Sequence, residues 1–309
     1  MSVIWIIAEN ESWTAGLVAG ARAVDAGARI VAFVNGDEKA ARAAIAQGAD
    51  QAFSLPLPPD TLWEAFVPVL TAKAAADKPA LVLVGASRRG RDMAAQLGAR
   101  LDAPCFSDAR NLSVNGNTVT AETMVYGGMA VKNASATAET VLATIGAKDY
   151  EPVPADDSRS GDVAVLSPAP SPARVTERKP RAAQTVNLGE AAKVVGVGRG
   201  FTEEGDLAKA RELAGAIGAE VACSRPIAEF FKWMPEECYI GISGQVIKPQ
   251  LYLAVGISGQ AQHYFGVRDA KVIVSVNKDA ECLMNQNSDY YIVGDWKEVV
   301  PGLLKALQG

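Results

Sequence analysis

Short apolar runs, each followed by an alanine-rich or charged stretch of helical character, recur along nearly the whole chain, and no feature constrains its fold more. In the first half, "VIWIIA" (3–8), "RIVAFVN" (29–35) and "ALVLVGA" (80–86) alternate with "WTAGLVAGARAVDAG" and "EKAARAAIAQGA". That alternation predicts βαβ units and a mostly parallel sheet. Beyond Asp102, "NLSVNGNTVTAETMVYGG" switches to strand-like alternation around an Asn-Gly turn, which predicts an added antiparallel hairpin. The second half carries five apolar segments: "KVVGVG" (193–198), "EVACS" (220–224), "LYLAVG" (251–256), "KVIVSVN" (271–277) and "YYIVGD" (290–295). A helix from about Glu203 to Ile217 places Leu207, Ala210, Leu213, Ala214 and Ile217 on one face, and "WKEVVPGLLKAL" closes the chain as a second helix.

The expected architecture is therefore α/β in two domains. The N-terminal domain (1–150) holds a mostly parallel sheet with an added hairpin, and the C-terminal domain (189–309) a doubly wound five-stranded parallel sheet. Between them, 151–188 opens with "EPVPADDSRSGDVAVLSPAPSPARVTERKPR", rich in Pro, Ser and charge, and reads as an extended linker in which "DVAVL" is the one strand-like stretch.

Composition narrows the function classes. The net charge of -5 argues against nucleic acid or an anionic membrane as the main partner. No apolar run reaches the roughly 18 residues of a membrane span. The opening "MSVIWIIAENESW" has neither a basic leader nor a small-residue cleavage site and reads as a first strand. Cys105, Cys223, Cys238 and Cys282 are widely spaced and form no CxxC, so reduced thiols in a cytoplasmic compartment are expected. With one histidine and no paired cysteines, no zinc site is expected.

In doubly wound sheets ligands lie beyond the carboxyl ends of the strands, at the switch point. The residues standing there are Arg199 within "GVGRG", Ser224 and Arg225 within "SRP", the "GISGQAQH" turn from Ser258 to His263, Asn277, and Asp295. Two arginines, hydroxyls, amides and one histidine on one edge suit an anionic, hydrogen-bonding ligand such as a dinucleotide. Each element has a plainer reading. "GVGRG" is not GxGxxG. Arg225 could be an ion-pair partner, although Pro226 argues against helical backbone there. His263 could sit on a surface helix, although a place in a first helical turn would put it beside free N–H groups. Other chemistries lack parts: the chain has no GxxxxGK[ST] loop and no GxSxG elbow, and "TEEGD" and "PEEC" read as helix-start charges.

At these residues the chain resembles the alpha subunit of electron transfer flavoproteins, most closely the Fix-type branch. "LYLAVGISGQAQHYFGVRDAKVIVSVNKD" (251–279) is similar to that family's FAD signature, and "GVGRG", "CSRPIAE", "YIGISG" and "DYYIVGD" follow in its order and spacing. "ASRRGRDMAAQLGARL" and "MVYGGMAV" resemble it more loosely. The resemblance implies an FAD held mainly by the C-terminal domain, with the N-terminal domain pairing with a homologous beta subunit in a heterodimer. It implies cofactor contacts from Arg199, Ser224 and Arg225, with Arg225 beside the isoalloxazine. Along "YIGISG" it implies contacts from Ile240, Gly241, Ile242 and Ser243, the Ser243 hydroxyl near flavin N5. Ser258, Gly259, Gln260, Ala261, Gln262 and His263 would line the ring and pyrophosphate, His263 directed at the pyrimidine-side carbonyl. Asn277, Asp295 and Trp296 would hold the adenosine end.

The implied role is a non-catalytic carrier taking electrons from a dehydrogenase or NADH to a quinone reductase or low-potential acceptor. A free-standing flavin- or nicotinamide-dependent oxidoreductase is the alternative, and a nucleotide-binding regulatory module a third reading. The chain departs from the family at Ile242-Ser243-Gly244-Gln245, where many members have Gln-Thr-Gly-Lys, and across 280–291.

Overall fold

The computed structural model describes residues 2–146, 149–152, 154–178 and 188–307. The chain divides into two compact units, one formed by residues 1–125 and 130–179 and the other by 126–129 and 180–309.

The first unit is built on seven strands that pair in parallel throughout. These are β1 (Val3–Ala8), β2 (Arg29–Asn35), β3 (Gln51–Leu55), β4 (Leu81–Gly85), β5 (Cys105–Phe106), β9 (Val141–Ile145) and β10 (Asp162–Val165), in the order β10-β3-β2-β1-β4-β9-β5. The apolar runs are unbroken because both faces are covered. Ile4 and Ile6 of β1 enter one core with Ile30 and Ala32 of β2, while Trp5 and Ile7 enter the opposite core with Val31 and Phe33. Helices α1 (Glu11–Val24), α2 (Glu38–Ala46), α3 (Val67–Asp77) and α4 (Arg88–Leu101) provide the covering layers. Caps fix two of their starts: Asp37 accepts from Ala40 N, and Ser87 Oγ accepts from Gly90 N at 2.9 Å.

The expected antiparallel hairpin forms around Asn115-Gly116. Its strands β6 (Ala109–Asn115) and β7 (Thr118–Val125) are joined by β8 (Ala130–Thr137) in a separate three-stranded antiparallel sheet, as the chain turns back at Tyr126–Gly128 into a third strand. One expectation is corrected: 151–188 is not free along its described length. β10 lies inside it and pairs with β3, and beyond it Leu166, Ala169 and Val175 donate backbone bonds to Ser54, Ala65 and Asp60. A segment too polar to build its own core is thus stitched to a sheet edge by backbone bonds. Residues 179–187 lie outside the described residues.

The second unit is a five-stranded parallel sheet in the order β12-β11-β13-β14-β15: β11 (Lys193–Val197), β12 (Glu220–Cys223), β13 (Leu251–Val255), β14 (Ile273–Asn277) and β15 (Tyr290–Val293). Counted within the unit this is the 2-1-3-4-5 order of doubly wound sheets, whose switch point falls between β11 and β13. Helix α5 (Leu207–Ile217) buries Leu207, Ala210, Leu213 and Ala214 on one face of the sheet, where α8 (Trp296–Leu307) adds Val300 and Leu304. The opposite face gathers Val194, Tyr252, Ala254, Ile273 and Met284, with short helices α6 (Ala261–Phe265) and α7 (Leu283–Gln286) along that side of the chain's path. β15 forms where expected, and all four of its residues are exposed, as its place at the sheet edge allows.

The stitching of 154–178 has a direct test. By hydrogen exchange, the amides of Leu166, Ala169 and Val175 should exchange at least tenfold more slowly than free-peptide rates, and free-peptide rates at all three would restore the linker reading.

Candidate functional site

The switch point requires two backbones to run close together. Gly198 N donates to Val255 O and Gly200 N donates to Gly256 O, each at 3.0 Å. A Cβ at Gly198 would collide with the Gly256 carbonyl oxygen, and one at Gly200 would lie 2.7 Å from Gly256 Cα. Gly256 itself sits at φ +63°. The glycines of "GVGRG" and "AVGIS" are thus there for close approach, and no side chain fills the space above them.

What opens beyond is a cavity of about 750 Å³, within the roughly 300–1,000 Å³ usual for cofactor sites. Among the described residues it is lined by Arg199, Ser224, Arg225, Ile240, Ile242, Ser243, Ser258, Gln260, Gln262, His263, Asn277, Asp295 and Trp296, all singled out from the sequence. Gly241, Gly259 and Ala261 are not on its wall. Gly241 at φ +151° and Gly259 at φ +76° shape the turns behind it, and a Cβ on Gly259 would strike Met284 N. Thr202, Tyr239, Lys278, Asp279, Cys282 and Lys297 also line the cavity and were missed. Tyr239, in "YIGISG", and Lys278 and Asp279, at the end of the 251–279 motif, carried a sequence signal.

Several wall residues use their polar atoms internally. Asn277 Nδ2 donates to Ile257 O at 2.8 Å and its Oδ1 accepts from Asp279 N at 3.1 Å. Trp296 Nε1 donates to Gly200 O at 2.8 Å, and its ring stacks on Phe201 with centroids 4.2 Å apart. Asp295 Oδ1 accepts from Lys297 N at the start of α8. Ser243 Oγ lies 2.7 Å from Tyr239 Oη. These residues build the wall as well as face the space.

Arg225 departs from expectation. It adopts helical backbone (φ -46°, ψ -45°) and leads into a π-helical turn, Pro226–Phe230, and its Nε donates to Glu229 Oε2 at 2.7 Å. Pro226 stands at the first position of that turn, where its missing N–H is not needed. The side chain stays 58% exposed, so Glu229 restrains it without removing it from the cavity mouth.

His263 is not on a surface helix. It lies within α6 and only 8% of it is exposed. Burial lowers its pKa to about 4, keeping the ring neutral, while the Ile240 carbonyl acts the other way without reaching hydrogen-bond geometry to Nδ1. Nε2 lies 2.8 Å from Tyr252 Oη. Two buried polar atoms on this wall lack partners among the described residues, His263 Nδ1 and Ser224 Oγ. Unmet buried polar atoms are disfavoured unless something binds them. Four cations (Arg199, Arg225, Lys278, Lys297) face two carboxylates (Asp279, Asp295). Glycine floor, orphaned donors and excess positive charge together fit an anionic dinucleotide.

The fold and this edge define a doubly wound, dinucleotide-binding α/β protein. Family comparison gives the rest: residues 187–268 match the electron transfer flavoprotein FAD-binding domain and residues 4–171 the electron transfer flavoprotein domain. Protein FixB of Escherichia coli O157:H7 and of Shigella flexneri are each 39% identical over 313 aligned residues, covering 99% of this chain and 98% of theirs. Protein FixB of Escherichia coli strain K12 is 38% identical over the same span. The chain belongs to the alpha-subunit family of electron transfer flavoproteins, FixB type, and binds FAD. Among the described residues no helix is long and apolar enough to cross a membrane.

Two predictions follow from the geometry. Gly198→Ala should cost about 1–3 kcal/mol of stability through overpacking at the switch point and reduce the FAD retained on purification, read by the ratio of flavin to protein absorbance. The second concerns His263, whose pKa falls from 6.5 unfolded to about 4 folded. The unfolded chain then binds the proton first, so this contribution is intact above pH 6.5 and is lost as pH falls toward 4. Urea unfolding of the FAD-free chain at pH 7 and pH 5 should show about 2 kcal/mol of loss from this residue, and His263→Gln should remove that part of the difference.

Proposed function

We propose that the chain is the FAD-holding half of a two-subunit electron carrier that pairs with a homologous beta subunit through its N-terminal domain. It relays electrons from a dehydrogenase or NADH to a quinone reductase or low-potential acceptor. FAD, when bound, supplies the ring that accepts and releases those electrons. The observation that carries this reading is that Ser224 Oγ and His263 Nδ1 are buried without partners on one wall of a glycine-floored cavity. The described groups there bind and polarise, and none is placed for proton transfer on a second substrate. The imidazole is held neutral and paired to Tyr252, and both carboxylates accept backbone N–H groups of local turns. That favours a carrier over a free-standing oxidoreductase. Four free thiols suit a reducing, cytoplasmic setting.

In this reading Arg225 stands beside the isoalloxazine and offsets the negative charge that reduction places on it. Ser243, steadied by Tyr239, faces the N5 side, and His263 offers a donor to the pyrimidine carbonyl. Arg199, Ser224 and the 258–263 turn take the pyrophosphate side. Asn277, Asp295 and Trp296 shape the adenosine end.

Potentiometry on the purified two-subunit complex tests this. The complex should be yellow with FAD bound to this chain. A hydrogen bond from a charged group stabilises the reduced, negative ring. Arg225→Gln should lower the flavin potential, and only modestly, since the side chain is solvent-exposed and Glu229 already shares the guanidinium. An unchanged potential would remove Arg225 from the ring, and a colourless complex would remove the function.

A further inference from the structure

His263 is the only histidine in the chain, and one of its ring nitrogens is already engaged inside the protein. A neutral imidazole carries a single proton, so the 2.8 Å contact between Nε2 and Tyr252 Oη can be made in two ways. If Nε2 holds the proton, it donates to the phenol oxygen, and the phenol's own proton must find another acceptor. Tyr252 is 0% exposed, and no other bond to its hydroxyl occurs among the described residues. A buried hydroxyl proton without an acceptor is disfavoured by roughly ten- to a hundredfold. If Nδ1 holds the proton, Tyr252 donates to the bare Nε2, and the one proton left over sits on a residue of the cavity wall, where a bound ligand can accept it. The Ile240 carbonyl, which favours a proton on the ring, acts in the same direction.

We propose that Tyr252 is a positioning residue: its hydroxyl donates to Nε2 and locks His263 as the Nδ1–H tautomer, so that the ring meets the flavin as a hydrogen-bond donor. The inference rests on the FAD reading of the cavity. Its chemical content is a sign. With Nε2 occupied by Tyr252, any ring-nitrogen contact to a ligand falls on Nδ1. A proton there attracts a carbonyl or a developing anion, whereas a lone pair would repel it. The strand opposite is shaped for the same contact. Gly196, in the middle of β11, stands where any Cβ would collide with Tyr252 Oη. Glycine inside a strand is intrinsically unfavourable, and here it leaves the phenol room to reach His263.

The test is nitrogen NMR on the complete FAD-loaded complex, with this chain labelled by ¹⁵N-histidine. One residue then gives the whole signal. The proposal expects the one-bond N–H coupling on Nδ1 and the downfield resonance of a bare Nε2. Tyr252→Phe keeps the ring and its packing but removes the donor. It should shift proton population to Nε2 and lower the flavin potential by about 59 mV, a tenfold change in the one-electron equilibrium. Gly196→Ala, which crowds the hydroxyl, should move both readouts the same way. A proton on Nε2 in the unmodified chain overturns the proposal without any variant. So does a Tyr252→Phe complex with unchanged tautomer and potential. A flavin-free protein that still carries the proton on Nδ1 would overturn the FAD reading and uphold the tautomer assignment.

Discussion

The close parallel passage of β11 and β13 at the switch point is the constraint on which the site depends. Where the two strands end, backbone must lie against backbone, with Gly200 N bonded to Gly256 O at 3.0 Å, and no side chain larger than hydrogen fits. The floor of the cavity is therefore peptide. Peptide dipoles and free space are what an anionic cofactor needs, and neither has to be reorganised on binding. The wall then holds this floor still. Trp296 clasps the Gly200 carbonyl and Asn277 clasps the Ile257 carbonyl, so two residues expected at the adenosine end also brace the loops they face.

Charge is arranged in two layers. The cations of the wall, Arg199, Arg225, Lys278 and Lys297, are exposed, while the unpartnered polar atoms of Ser224 and His263 are buried. Exposed charges act over about a Debye length and weaken with salt. They can attract an anionic ligand without fixing its orientation. Buried neutral donors have short reach but operate where water does not compete. In the proposed arrangement the inner layer orients the ring, while Arg225 at the cavity mouth adds charge from the outer one. His263 stays neutral because a charged imidazole at that depth would carry a desolvation cost that no described carboxylate offsets.

Much of this was legible in the sequence, and the exceptions have physical causes. Strands buried on both faces read as unbroken apolar runs, and α5 declares its face through Leu207, Ala210, Leu213 and Ala214. The strand-end rule located the wall, since a parallel sheet delivers the residue after each strand to one edge. Sequence reading failed where the surrounding structure outweighs local preference. Pro226 argued against helical backbone at Arg225, but it opens a helical turn whose later residues hold the backbone in place. The composition of 151–178 argued for a free linker, yet edge pairing to β3 needs only backbone bonds. Tyr252 stood only as one letter of the apolar strand "LYLAVG". Its hydroxyl matters only because a residue 11 positions on folds back over the same face.

Both departures from the family pattern reach the cavity, and the structure shows what stands in each place. At 242–245 the family's amide and cation give way to Ile242 and Gln245, while the retained hydroxyl, Ser243, is bonded to Tyr239 Oη. Across 280–291, Cys282 lines the cavity and Met284 packs against Gly259 so tightly that a Cβ there would strike its backbone nitrogen. The first change trades a cation for the neutral amide of Gln245 and an amide for the apolar Ile242, and it leaves the hydroxyl in place. The second sets the backbone of Met284 against the 258–263 turn. Only the first removes positive charge, and residues 242–245 now carry none. In the proposed arrangement, compensation of a reduced ring would rest on Arg225, shared with Glu229, and on the neutral His263. A flavin so held should be harder to reduce than one flanked by the family's lysine.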